Sequence, residues 1–553
     1  MTGKSPDHRE RACTTMSKET SVFRVNQEGY ETGLPVCAAV LAAEPVLLKN
    51  AAGEVIRRFS FEAPEPDPAS GDRVTLLDLG VLEEGTYTLE NSRESRALTV
   101  RPGAWKAVTH ALIKGLYFQR CGCALDPVHA GPYRHGACHT APAADWEDRS
   151  VRRKVTGGWH DAGDYGKYVG PGAVTVGHLL YAWLLFPRGC SDELNIPESG
   201  NGLPDILNEA RYELDWILQM QRPDGAFYHK LTKARFAPFI MPENDLEPEY
   251  LMPASTCATA DACACLALAS RVYRRFDEAL AGRMLSAARD AWKWLQAHPD
   301  FVPFRNPEGV HTGSYSGWND ADNRFWAACE LYAATGETQY REAAETLYAG
   351  GLSLIQFGWD DVGGMGALCC LFALKEKAGE ILGVRLREDF LRQCEQVFRL
   401  SALSGYGTAL APDRYSWGSI LSVLSHAMAM ILHALLTGRE DMRRSALLQW
   451  HYALGLNALD CCFVTGFGER PVMNPHHRPS GADGIDAPVP GLISGGPNNA
   501  HCYPGTREKL GNDTPPAKYF LDETPSADTN EIAIYWNTPA VFVGAYFCSS
   551  ARS

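Results

Sequence analysis

The stretch PDILNEARYELDWILQMQRPDG, residues 204–225, decides how most of this chain is read. Its apolar residues recur at three and four spacing. Pro204 opens it, carboxylates follow early, and Pro223, Asp224 and Gly225 stop it. Those are the marks of an amphipathic helix. The pattern returns near 105–119, 172–187, 203–221, 255–274, 277–298, 322–336, 338–350, 365–378, 384–401, 418–437, 440–455 and 538–549. Twelve helices with almost no strand predict a mainly α domain over 104–553. Paired and closed on themselves they make a six-hairpin toroid, whose loops at one end line a cleft. A two-layer array or solenoid competes, but no fixed-period repeat supports it.

Upstream of residue 103 the pattern is different. Short β-branched and apolar runs such as SVFRVNQEGY, RVTLLDLG and GTYTLEN alternate with Gly, Pro, Asn and Glu clusters. They predict a small antiparallel β-sandwich over 20–103. It carries no cluster of reactive side chains, so a scaffold role is expected. Residues 1–19 read as a disordered tail.

Composition narrows the function. The chain has 553 residues, 45% of them hydrophobic, and a net charge of −14. A large core is affordable, and nucleic acid or an anionic membrane is disfavoured as a partner. No run of about 18 apolar residues stands out, so no membrane-crossing helix is expected. The first residues lack the apolar segment of a secretory leader, which points to the cytoplasm, or to secretion if a leader was removed. Seventeen cysteines, an odd number with adjacent pairs at 369–370 and 461–462, read as reduced and buried rather than as a disulfide framework.

The chemistry concentrates in loops. GGWHDAGDYGKYVG, residues 157–170, places His160, Asp161 and Asp164 within five positions. Two like charges held close cost energy unless something uses them. TNEIAIYWNTPAVF, residues 529–542, places Glu531 before the last helix in apolar surroundings, where a carboxyl keeps its proton. Hydrolysis of an acetal such as a glycoside needs these two kinds of carboxyl, one to activate water and one to protonate the leaving oxygen. The nearby aromatics Trp159, Tyr165, Tyr168, Tyr535 and Trp536 suit sugar faces. RCGCALDPVHAGPYRHGACHT, residues 120–140, adds Cys121, Cys138 and His139. With His160 they make a Cys2His2 set, which closes a tetrahedral zinc with no position left for water.

Several of these stretches together resemble glycoside hydrolase family 9: GGWHDAGDYGKYV, HHRPSG (476–481), GLISGGPN (491–498) and NEIAIYWNTPAVF, with FRVNQEGY (23–30) similar to the immunoglobulin-like domain that precedes many members. The resemblance spans roughly 20 to 553. It implies an (α/α)6 barrel that cuts β-1,4-glucans with inversion, Asp164 as catalytic base, Asp161 helping to hold the nucleophilic water, and Glu531 as acid. His476 and Arg478 match the family's sugar-binding His-x-Arg. Trp417, in WGSI where the family has WGSN, is a candidate stacking platform, with Tyr165 and Tyr535 as further substrate contacts.

The resemblance also implies a structural zinc at Cys121, Cys138, His139 and His160. It further implies calcium near YSGWNDADNRFWAACELYAATG (315–336), with Asp322, Asn323 and Asp360 as ligands. Asn323 replaces a usual Glu, a loss of charge that Asp320 is expected to offset. Ala527 stands where the family has an aromatic, which bears on subsite preference. An exo-acting oligosaccharide hydrolase, of β-glucosidase or exo-glucosaminidase type, is the alternative to an endoglucanase. A catalytic zinc hydrolase is disfavoured by the four-ligand set, and a non-catalytic carbohydrate-binding module by the three carboxylates in place.

Overall fold

The computed structural model describes residues 21–190 and 192–550; the expected tail at 1–19 lies outside them. Eight strands come first: β1 Phe23–Arg24, β2 Tyr30–Glu31, β3 Pro35–Val40, β4 Val46–Lys49, β5 Val55–Phe59, β6 Thr75–Val81, β7 Gly85–Glu90 and β8 Ser95–Arg101. They form two sheets, ordered β1-β3-β6 and β2-β8-β7-β4-β5. Alternation along β7 and β8 turns Tyr87, Leu89, Leu98 and Val100 inward, where they meet Phe23, Val36, Val40 and Leu79. This is the expected sandwich. The Glu31 carboxylate accepts from Gly103 N and Ala104 N (2.8 and 2.9 Å), fixing the exit of the chain into the helical part.

Among the described residues twelve helices build the barrel, apart from four short ones in its loops: α1 Lys106–Phe118, α2 Val169–Leu185, α3 Asp205–Gln219, α4 Thr256–Tyr273, α5 Glu278–Ala297, α6 Ala321–Thr335, α7 Thr338–Tyr348, α8 Gly363–Leu368, α9 Leu386–Leu403, α10 Ser419–Thr437, α11 Glu440–Ala453 and α12 Ile534–Ser550. The even-numbered helices form an inner ring, and the odd-numbered ones pack outside. The ring closes because α12 packs on α1, α2 and α10. Sequence explains the division. Inner helices such as TCATADACACLALASRVY are apolar or small on all sides and almost wholly buried; outer ones such as EALAGRMLSAARDAWKWLQA carry one apolar stripe. The result is an (α/α)6 barrel.

Four expectations need correction. Helix α10 is long and apolar enough to span a bilayer, contrary to the reading that no such run exists; it is an inner helix and mostly buried. The helix expected at 365–378 is α-helical only to Leu368 and continues in wider and tighter turns, because a Gly-rich start gives little propensity and Gly366 lies against the Phe325 ring. The last helix begins at Ile534, not 538, and carries Pro539 inside its first turns. Finally, the helical part does contain strands. β9 Ala143–Asp145, β10 Arg152–Arg153, β11 Lys167–Tyr168, β12 Lys230–Thr232 and β13 Tyr250–Leu251 make a small sheet over one end of the barrel. Strands this short leave no usable period in the sequence.

Candidate active site

At that end, three stretches far apart in sequence are joined by backbone pairing. Ala162 bridges Ala533, His476 bridges Glu531, and Ile534 N donates to Asp161 O at 2.9 Å. The start of α12 thereby holds both the Asp161–Asp164 turn and Glu531. Gly163 is required: a Cβ there would lie 1.9 Å from the His476 carbonyl oxygen. Arg478 completes the joint, its backbone N and Nη1 both donating to Gly163 O (3.0 and 2.8 Å).

These residues open on a cleft of about 590 Å3, lined by Asp164, Glu531, His476, Arg478, Trp417 and Tyr535 among others. Asp164 is buried; its Oδ2 accepts from Gly166 N at 3.0 Å. Burial raises its carboxyl, while Arg478 and Lys230 work in the opposite direction. Glu531 is partly exposed to the cleft and is raised well above the ordinary value, by desolvation first and then by the charges of Asp164 and Asp161. Three close carboxyls cannot all ionise in such surroundings. Arg478 favours the charged form of both carboxyls and Lys230 that of Asp164, while Asp164 and Asp161 disfavour the charged form of Glu531. Asp161 accepts from the Tyr315 hydroxyl through Oδ2, and its buried Oδ1 has no protein partner.

His476 Nδ1 lies 2.7 Å from the Thr524 carbonyl, so it carries the hydrogen and Nε2 remains as an acceptor. Desolvation pushes this imidazole down to about 4. Trp417 stands at the rim, edge-on to Tyr503. Tyr535 is buried, with its hydroxyl 3.3 Å from that of Tyr315.

Tyr165 is not among the lining residues. Its hydroxyl donates to Ile240 O at 2.5 Å, and its ring lies against His139 and His160; alternation in a tight turn sends it away from the sugar path. Sequence reasoning missed Tyr315, which sits at φ 46°, a conformation rare for a bulky residue, and braces Asp161. Its one signal was a Tyr between two Gly-Ser pairs, read instead as part of a calcium loop.

Cys121, Cys138, His139 and His160 converge, with all four ligand atoms within 4.8 Å of one another. His139 Nδ1 is 3.4 Å from His160 Nε2 and 3.7 Å from Cys121 Sγ; Cys138 Sγ is 4.0 Å from His160 Nε2. A tetrahedral zinc at ordinary bond lengths sets its ligands apart by about 3.3 Å (N to N) and about 3.6 Å (N to S), so the set fits. Among the described residues it is the one such convergence of His, Cys, Asp or Glu.

Asp322, Asn323 and Asp360 are not drawn together in that way. Asp322 Oδ2 accepts from Val362 N (2.8 Å), Asn323 Nδ2 donates to Asp261 Oδ1 (2.7 Å), and Asp360 lines the cleft. Asp320, expected to offset the missing charge, pairs with Arg324 at 3.0 Å.

A helical toroid whose mouth presents Asp164 and Glu531 between aromatic walls, with Asp161 buried behind them, has the makings of a glycoside hydrolase. The chain belongs to glycosyl hydrolase family 9, whose profile matches residues 105–544, and the cellulase N-terminal ig-like domain matches residues 18–95. A cellodextrinase of Butyrivibrio fibrisolvens is 36% identical over 540 residues, covering 94% of this chain and 98% of the relative. A single mutant of the thermostable endoglucanase of Alicyclobacillus acidocaldarius superposes with a TM-score of 0.89 at 34% identity, covering 95% of this chain and 99% of the other. A Zn-binding triple mutant of the family 9 endoglucanase J30 superposes at 0.87 with 32% identity, covering 93% and 98%.

Proposed function

We propose that the protein hydrolyses β-1,4-linked glucose chains, cello-oligosaccharides in particular, with inversion at the anomeric carbon. The observation that carries this is geometric: backbone pairing joins the Asp161–Asp164 turn to Glu531 at a cleft that Asp164, Glu531, His476 and Arg478 line together. In this reading a water lies between Asp164 and the sugar. Asp164 takes its proton, Asp161 Oδ1 holds it in line, and Glu531 protonates the departing oxygen. His476 Nε2 accepts from a sugar hydroxyl, and Trp417 and Tyr535 present ring surface to the sugar. The names of the similar proteins, a cellodextrinase and endoglucanases, support the glucan and leave both short and long chains open.

The four-residue cluster is proposed to hold a structural zinc. With two thiolates and two imidazoles in a closed set, its chemistry is to cross-link. It would tie the 121–139 loop to His160, one residue before Asp161.

Proton NMR on a cello-oligosaccharide tests the mechanism: the first product from a β-linked substrate is expected as the α-anomer. Appearance of the β-anomer before mutarotation overturns the inverting assignment. A time course of chain lengths separates release of single sugars from internal cuts.

A further inference from the structure

Loop 233–245 reaches the cleft through Phe236 and is irregular but for a short turn at Pro242–Asn244. It presents two exposed aromatics. Phe236 lines the cleft with 48% of its surface exposed, and Phe239 beside it keeps 37%. Phe236 shares the lining of the cleft with Asp164 and Glu531, which places an apolar ring face within the same groove as the carboxyls.

The loop has three ties, and two of them start at the metal cluster. His139 turns Nδ1 to the cluster and Nε2 to Asp245 Oδ2, 3.2 Å away. Asp245 is buried; its other oxygen pairs with Lys233, whose Nζ also donates to the Asp245 carbonyl at 2.8 Å. One carboxylate therefore joins both ends of the loop to one cluster imidazole. The second tie is Tyr165, whose ring lies 5.6 Å from His139 and 4.8 Å from His160, and whose hydroxyl holds Ile240 O at mid-loop. The third is Arg478. Its Nε donates to Ala237 O at 2.7 Å, and its guanidinium lies over Phe236 and Phe239 at 5.7 and 5.4 Å. The groove-side arginine and the loop are thus one packed unit.

We propose that loop 233–245 is a substrate-contact wall latched to the metal cluster, with Asp245 and Tyr165 as positioning residues and Phe236 as the surface on which a sugar ring stacks. This rests on the cluster being a metal site. A carboxylate on the far nitrogen of a ligating imidazole fixes that ring's tautomer and orientation, and the same bond transmits the ring's fixed position outward. With the metal bound, His139 cannot turn, so Asp245 and the loop ends cannot drift. Without it, Asp245 keeps only Lys233, which belongs to the loop itself.

The test uses the full chain. Metal content comes first: about one zinc per chain is expected, and a wild type that takes up none overturns both the metal reading and the latch. Limited trypsin digestion then reads the loop through the Arg235–Phe236 bond. Chelation should speed cleavage there, and Asp245→Asn should speed it with metal present while metal affinity falls about 10- to 100-fold. Asp245→Asn loaded with metal, folded by its thermal transition, and cut at the wild-type rate overturns the latch. Phe236→Ala, an exposed change that spares folding, should raise KM roughly 2- to 10-fold with kcat kept, and Phe236→Trp should restore KM. An unchanged KM in Phe236→Ala overturns the stacking surface. None of these readings depends on which carboxyl is acid or base, so the catalytic assignment fails or stands separately through Glu531→Gln.

Discussion

The two sides of the cleft are built from the same functional group and do opposite work. Asp164 sits on a tight Gly-rich turn, accepts from Gly166 N, and faces Arg478 and Lys230. Glu531 sits on an extended strip that runs into α12, with Asp164 and Asp161 as its charged neighbours and Arg478 as a lesser counterweight. Burial raises both. Arg478 acts on both, Lys230 adds to it at Asp164, and the nearby aspartates work against the charge of Glu531. An acid and a base made from two carboxyls need no difference in chemistry, only a difference in neighbours.

The largest expected effects remove one side at a time. Asp164→Asn and Glu531→Gln should each lower turnover on an unactivated glycoside by about 10²- to 10⁴-fold. An aryl glucoside with a good leaving group needs no acid, so it should partly rescue Glu531→Gln and leave Asp164→Asn inactive. Equal rescue of both would erase the distinction between the two walls.

Next in size is the cluster that holds the Asp161 turn. Cys138→Ser removes one of four ligands, so metal content and thermal midpoint should fall together. Turnover should drop through misplacement of Asp161 and Asp164, by less than in either carboxylate variant, and the pH optimum should not move. A displaced optimum would mean that the cluster acts on charge rather than on position.

A smaller effect sharpens the comparison from the side of stability. The Glu531 carboxyl is raised in the folded protein, so the folded state holds that proton more tightly than the unfolded chain does. That contribution is complete below the unfolded value, about 4.3, and is lost as pH rises through the folded one. Glu531→Gln, which cannot ionise, should therefore be more heat-stable than wild type at pH 7 to 8, with the gap closing toward about pH 4. A gap that widens on acidification would reverse the sign of the shift.

The smallest effect is expected at Asp322. Its oxygen accepts a backbone N–H, which an amide oxygen can also do, so Asp322→Asn should cost no more than about 1 kcal/mol. Thermal unfolding with and without added Ca2+ checks this. A large calcium-dependent stabilisation, lost in the variant, would show that the 322–323 corner binds metal despite its internal hydrogen bonds.

The sequence by itself determined the division into sandwich and helices, and ten of the twelve helices to within a few residues, because burial on one side or on all sides imposes a period. It also determined which residue types were present for acetal hydrolysis and for a closed Cys2His2 set. The tertiary structure alone decided how those residues are used. Tyr165 and Tyr315 look alike in sequence, each an aromatic among glycines. Only the fold turns Tyr165 to a backbone carbonyl behind the cluster and Tyr315 onto Asp161. The cluster and the 322–360 corner both read as metal sites. Only the fold shows that the ligand atoms of one set converge, while in the other Asp322 accepts from Val362 N and Asn323 donates to Asp261. The reason is physical: a helix period is set by local burial and survives in the order of residues, whereas a charge, a ligand distance or a hydroxyl's direction depends on groups brought near from hundreds of positions away.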